Sequence, residues 1–246
     1  MLAVIDPRMP IGAVKALRRR GYEICPLPPH PALPSPIASH PDLLLFFAPD
    51  RILCTKSYAR LAERELTHIS RACQKPICVT EQDLGAVYPQ DILLDALPIG
   101  NRLFCHAAHT ARELTDGLGY RRISVRQGYA KCATIPITEN ALITADPSIA
   151  SAANEEGLDV LKIESGHITL KGYDTGLIGG VASYAPYCAS HEILFCGALD
   201  THPSAALICE FCEKHGKRAV SLSNDPLTDV GTVFLISSLA PDAGVE

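Results

Sequence analysis

The 246-residue chain has no tryptophan, and only 6% of it is aromatic, so its core is expected to be filled by aliphatic side chains. No Lys/Arg run and no alternation of basic and aromatic residues supplies a phosphate-binding stripe. Arg18-Arg19-Arg20 reads as the solvated end of a helix, and the net charge is −5 with a pI near 6.0. Nucleic acid is therefore not an expected partner. No apolar stretch approaches the roughly 18 residues of a membrane helix. The opening MLAVIDPRMP has no basic segment leading into a long apolar run. Neither a signal peptide nor contact with a membrane is expected, and the chain reads as cytoplasmic. The GxxxxGK[ST] order is missing, which excludes a nucleotide P-loop. Asp6-Pro7-Arg8-Met9-Pro10, after the first apolar run, is not the glycine-rich turn of a dinucleotide-binding sheet. Cys209 and Cys212 lie three apart with no second pair at zinc-site spacing, so no metal and no cofactor are expected.

What the chain does have is 47% hydrophobic residues, a mean hydropathy of +0.13, 19 prolines, 17 glycines and ten cysteines. It can bury a large core. Without a secretory signal the cysteines read as thiols rather than disulfides. Those inside apolar runs, such as Cys54, Cys105 and Cys196, read as small hydrophobes.

One pattern recurs along the chain. Leu2-Ala3-Val4-Ile5, a helical stretch from Ile11 to Arg20 and Tyr22-Glu23-Ile24-Cys25 give strand, helix, strand. A proline-rich connector from Pro26 to Pro36 leads to a second copy: strand Leu43–Phe47, strand Ile52–Cys54, a helix from Lys56 to Cys73 and strand Ile77–Val79. The third copy starts at Asp91-Ile92-Leu93-Leu94, turns at Gly100-Asn101 and continues through Leu103–Cys105, a helix from Thr110 to Leu118 and Ile123–Val125. The fourth runs from Ala133–Thr138 through Leu142–Thr144 and a helix to Asp159–Ile163. That helix has Asp146 as N-cap and Pro147 at its first position. The fifth carries the glycine-dense Gly172–Ser183, strand Glu192–Cys196, a helix from Pro203 to His215 and strand Ala219–Leu222. Thr228–Ile236 is a strand with no partner in its own unit, and the first unit lacks a first strand. The strand before each helix recurs at about 40 to 50 residues, long enough for one supersecondary unit. The expectation is a single α/β domain of five units (1–28, 40–80, 91–126, 132–164 and 172–222), closed into a ring by a strand at 228–237. An open α/β hydrolase- or transferase-like sheet, which would leave that last strand unpaired with the first, is the alternative architecture.

The pattern resembles the pentein superfamily, the guanidino-group-modifying enzymes, whose members are five-unit α/β propellers. QGYAKC from Gln127, ITAD, DVLKIESGHITLKGYDTGLIGG and GALDTHP are similar to a bacterial branch of it, and that closer resemblance implies no activity of its own. The superfamily's hydrolases carry a glycine-bearing loop leading to a nucleophilic cysteine, and Gly128-Tyr129-Ala130-Lys131-Cys132-Ala133-Thr134 is similar. They also carry a His-x-Asp element, matched in type by His40-Pro41-Asp42. This chain departs in having its cysteine in mid-chain, Ile178 before Gly179-Gly180, and a proline inside the His-x-Asp element. The resemblance implies Cys132 attacking an amidine- or guanidine-type carbon, as a hydrolase or amidinotransferase would. The other expectation is a non-catalytic pentein-fold protein that binds a small polar ligand or a protein or ribosome partner.

Each candidate residue has two readings. Cys132 is either a nucleophile activated by Lys131, Arg126 and the amides around Gly128, or a buried inert thiol. His40 and Asp42 are either a general acid/base and a carboxylate for a cationic ligand, or local turn chemistry. Asp6, Asp146 and Asp200 end equivalent strands, and either converge on the ring axis or cap helices. His202 is a second candidate acid/base. Asp174 and Gln127 complete the ligand-contacting candidates, for a ligand that is small and polar, a cation being one option.

Overall fold

The structure, a computed structural model, describes residues 1–187 and 190–237; Cys188 lies outside the described residues. In chain order the elements are β1 (Leu2–Ile5), α1 (Ile11–Arg19), β2 (Glu23–Pro26), α2 (Pro41–Leu44), β3 (Phe46–Phe47), β4 (Ile52–Thr55), α3 (Lys56–Leu61), α4 (Glu63–Cys73) and β5 (Ile77–Thr80). They continue with β6 (Leu97–Ile99), β7 (Arg102–Cys105), α5 (Arg112–Thr115), β8 (Arg121–Ser124), β9 (Thr134–Thr138), β10 (Ala141–Thr144), α6 (Pro147–Glu155) and β11 (Asp159–Lys162). The last are β12 (Ser183–Tyr184), β13 (Glu192–Phe195), α7 (Ala205–Lys214), β14 (Arg218–Ser221) and β15 (Val233–Ile236).

One small sheet recurs. Its first strand runs antiparallel to the middle one, and the third runs parallel to the middle one across a helix. This holds for β3-β4-β5, β6-β7-β8 and β9-β10-β11. In the fifth unit β13 and β14 pair in parallel, and the first strand is reduced to an antiparallel bridge between Ala182 and Phe195. The first unit takes its missing strand from the far end of the chain: β15 pairs antiparallel with β1, Leu2 opposite Ile236. β12 pairs with β15, so the segment 182–184 touches both the fifth sheet and the first.

Burial follows from this order. β1, β4, β10 and β15 are buried at every residue, whereas the third strands β8, β11 and β14 are largely open. That is why the middle strands read as continuous apolar runs instead of alternating ones. Helix α1 buries Ala13, Val14, Ala16 and Leu17 at helical spacing and stops at Gly21, which has φ +85°. Helix α6 starts as expected: the Asp146 carboxylate accepts from the Ser148 and Ile149 amides at 2.8 and 2.9 Å. The buried set is dominated by Leu, Ile, Val and Ala. No helix among the described residues is long and apolar enough to cross a membrane.

Several segments differ from expectation. Asp91–Leu94 is a turn-rich stretch closed by Asp95 N–H to Ile92 and Ala96 N–H to Leu94, and the first strand of that unit is β6. Ile92, Leu93 and Leu94 are all buried in succession, a pattern that does not separate strand from buried turn. Pro41 starts the short helix α2 and leaves only two strand residues after it, because a proline suits a first helical turn. The stretch 110–118 holds only the four-residue α5, with Gly117 and Gly119 beyond it. The strand expected from Thr228 begins at Val233, after a turn in which Gly231 and Thr232 have φ +67° and +66°. The described cysteines are free thiols.

Candidate active site

The segment ahead of each first strand runs into a common buried junction: Asp42 before β3, Asp95 before β6, Lys131-Cys132 before β9, Gly179-Gly180 before β12 and Asp229–Thr232 before β15. Hydrogen bonds tie all five together. One Asp95 carboxylate oxygen accepts from the Lys131 amide at 2.6 Å and the Cys132 amide at 3.3 Å. Lys131 Nζ donates to Thr232 Oγ1 at 2.9 Å, and that hydroxyl donates to Asp42 Oδ2 at 2.8 Å. The Gly180 amide donates to the Cys132 carbonyl, and its own carbonyl accepts from the Val230 and Thr232 amides.

Gly179 and Gly180 are required by this approach. A Cβ on Gly180 would stand 2.8 Å from Cys132 Sγ and collide with the Asp229 carboxylate. A Cβ on Gly179 would strike the backbone carbonyls of Lys131, Cys132 and Thr134.

Cys132 Sγ lies 3.6 and 3.7 Å from the two Asp229 oxygens. That carboxylate also accepts from the Leu177 amide at 2.8 Å and the Gly231 amide at 3.0 Å. His40 stands between two carboxylates, with Nδ1 3.9 Å from Asp229 Oδ1 and Nε2 4.0 Å from Asp6 Oδ2. Asp6 is in turn paired with Arg8, whose guanidinium also reaches the Ser35 carbonyl in the proline-rich connector. One ligand-type atom each from His40, Asp42 and Cys132 falls within a 4.8 Å set.

Electrostatically the junction is closed and unbalanced. Burial, followed by the Asp229, Asp42 and Asp95 charges, pushes the Cys132 thiol well above its ordinary range, and Lys131 only partly opposes them. Burial raises Asp42, and burial plus Asp42 raise Asp95 strongly. Burial lowers the Lys131 ammonium against the pull of the carboxylates. The resting thiol is protonated. Asp42 Oδ1 and Asp95 Oδ2 are buried without hydrogen-bond partners.

The remaining sequence candidates lie elsewhere. Gln127 donates to Asp146 at 3.2 Å, and the two line a cleft of about 220 Å³ with Ala133, Glu164 and Leu177. His202 is buried against His167, its Nδ1 accepting from the Ser204 amide at 3.0 Å. Burial, then His167, lowers its pKa. Asp174 and Asp200 are exposed. Asp95, Asp229 and Thr232 join the junction without having been singled out by sequence. Their shared signal is position, one to four residues ahead of a first strand, where Asp42 and Cys132 also sit.

At the other ends of these strands is a cavity of about 700 Å³, lined among others by Phe47, Pro98, Pro136 and Tyr184. Neither Cys132 nor His40 reaches it. Where the two regions approach, beside Asp42 and Lys131, there is room for only about 10 Å³.

A family model matches residues 4–234. The chain belongs to the family of unknown function DUF6873. No curated protein matches this DUF6873 chain in sequence. In structure it is similar to DDAH from Pseudomonas aeruginosa, a cysteine-to-serine mutant complexed with citrulline, at a TM-score of 0.50 and 12% identity. It is also similar to a dimethylarginine dimethylaminohydrolase adduct with S-methyl-L-thiocitrulline, at a TM-score of 0.54 and 12% identity. Each likeness covers 91% of the DUF6873 chain and 92% of the other. The fold is that of the pentein superfamily.

Proposed function

We propose that the chain is one pentein domain whose five units close a ring through β15 and β1. We propose also that its axial junction acts on an amidine- or guanidine-type carbon of a small cationic ligand, with Cys132 as nucleophile. The observation that carries this reading is the meeting of Cys132, from the fourth unit, with His40 and Asp42, from the second, within 4.8 Å. The likeness to proteins crystallised with citrulline and S-methyl-L-thiocitrulline supports it, although a fold alone does not fix a function.

In this reading a cationic ligand enters beside Asp42 and Asp229, and its charge brings the thiol down from its raised resting state. Cys132 passes its proton to His40 as sulfur bonds to the amidine carbon. The C–N bond breaks, and His40 returns the proton to the departing amine, leaving a thiouronium-type adduct. Water, deprotonated by His40, adds to the same carbon; the C–S bond breaks and the thiol recovers its proton. One water is consumed and one amine released. Access needs movement of the segments that enclose the junction, because about 10 Å³ admits no guanidinium.

A second reading, a non-catalytic binder, is favoured by Lys131: its buried ammonium already stands among the carboxylates that a ligand cation would use. Incubation with a panel of guanidines and amidines, read by amine release and product mass, separates the two. Turnover that is abolished in Cys132→Ala, with the circular dichroism spectrum retained, is the expected result. Turnover undiminished in that variant would remove Cys132 as the nucleophile, and none on any cation with the wild type would favour the binder.

A further inference from the structure

We propose that the junction is a binding site for one zinc-type divalent ion, held by Cys132 Sγ, a ring nitrogen of His40, Asp42 Oδ1 and Asp229 Oδ1. This goes beyond the reading above. The ion takes the thiol and imidazole that C–N chemistry needs free, so the loaded chain is the silent form.

The donor set is one that zinc takes: a thiolate, an imidazole and carboxylates, in a closed four-coordinate site. With bonds of about 2.0 to 2.3 Å, the edges of such a tetrahedron are roughly 3.3 to 3.8 Å. The separation from Asp229 Oδ1 to Cys132 Sγ is 3.6 Å, and to His40 Nδ1 it is 3.9 Å. Two edges are therefore near coordination length before any ion is added, and the fourth donor residue, Asp42, lies with His40 and Cys132 in the 4.8 Å set.

An independent sign comes from Asp42. Its residue is 1% exposed, Thr232 holds Oδ2, and Oδ1 has no partner at all. A buried carboxylate oxygen left unpaired is costly, and a cation removes that cost.

The surroundings are arranged as ligand supports usually are. With Nδ1 facing Asp229, His40 turns Nε2 to Asp6, which Arg8 fixes. The Asp229 oxygens are set by the Gly231 and Leu177 amides. Charge points the same way: Asp42, Asp95 and Asp229 are buried beside Lys131 as the one ammonium in this network. On binding, the Cys132 S–H gives its proton to solvent as the sulfur–metal bond forms. The donors come from three segments remote in sequence, at 40–42, 132 and 229, so the ion is taken up as the loops assemble.

The test is to refold the full chain with Co²⁺ and with Zn²⁺, and to measure metal content and the cobalt spectrum. About one ion per chain is expected, with intense tetrahedral bands and a thiolate-to-cobalt charge-transfer band. That band should vanish in Cys132→Ser. Asp6→Asn, which leaves every ligand in place, should weaken affinity about tenfold or more. Bound zinc should also slow iodoacetamide alkylation of Cys132. A folded wild-type chain with no bound metal would overturn the proposal, as would a charge-transfer band that survives in Cys132→Ser. Turnover by chelator-treated protein is scored separately. It decides the C–N reading and leaves the metal count unaffected.

Discussion

The two ends of the first strands divide room from chemistry. At one end, Cys132, His40 and three aspartates are crowded around Lys131 with scarcely space for a water. At the other, a cavity of about 700 Å³ is walled by proline, tyrosine and aliphatic groups. Three of the four charged groups there are already engaged: Glu192 by Arg20 and Arg218, Lys217 by the Ser190 carbonyl, and Lys75 over the Tyr187 ring. Volume alone is thus a poor guide to this molecule. The candidate reactive groups are found by asking where buried charge lacks compensation.

The contrast is broken most severely at Lys131. Lys131→Met leaves Asp42, Asp95 and Asp229 without their buried ammonium and should cost about 3 to 5 kcal/mol, read from urea unfolding near pH 7. Gly180→Ala comes next. Its Cβ presses on Cys132 Sγ and the Asp229 carboxylate, and overpacking of this kind costs about 1 to 3 kcal/mol.

Asp95→Asn sharpens the contrast through pH. The folded-state pKa of Asp95 is raised by burial and Asp42. The stability linked to it is therefore fully present below the unfolded value of about 4 and is lost as pH rises toward the folded value. Asn keeps the oxygen that accepts from Lys131 and Cys132, so the variant should lose less stability than wild type between pH 4 and 7. An unchanged slope would place the loss on other groups. The smallest effect belongs to the open end. Tyr187→Phe loses one hydrogen bond to the Ala48 carbonyl at 2.9 Å, worth about 1 kcal/mol, and should leave Cys132 alkylation unchanged.

The middle strands and their helices were legible in the sequence for a physical reason. Leu2–Ile5, Ile52–Thr55 and Ala141–Thr144 are buried on both faces and read as apolar runs. Asp146-Pro147 and Gly21 punctuate their helices where capping chemistry requires it. The first strands were harder. Phe46–Phe47 and Ser183–Tyr184 are two residues each, too short to show a period, and the apolar Ile92–Leu94 imitates a strand while lying in turns. Cys132, His40 and Asp42 were legible as candidates through residue type and resemblance. Asp95, Asp229 and Thr232 were not, because their roles come from the meeting of five segments and from no local motif. Equivalence of strand ends also misled in part: Asp6 follows β1 directly and is buried beside His40, whereas Asp200 lies in a short 3-10 turn beyond β13 and is exposed.

The pairing of β15 with β1 has a consequence for how the molecule comes into being. Leu2 finds its antiparallel partner only at Ile236, so a chain emerging from the ribosome carries its first sheet unfinished until that residue has been made. Contacts between residues this remote in sequence form late and slow folding. The unfilled edge of β1 is meanwhile open to pairing with other nascent chains. The junction inherits the same delay: Asp229 and Thr232 precede that last strand, and until they arrive Cys132 has neither its carboxylate nor its seal.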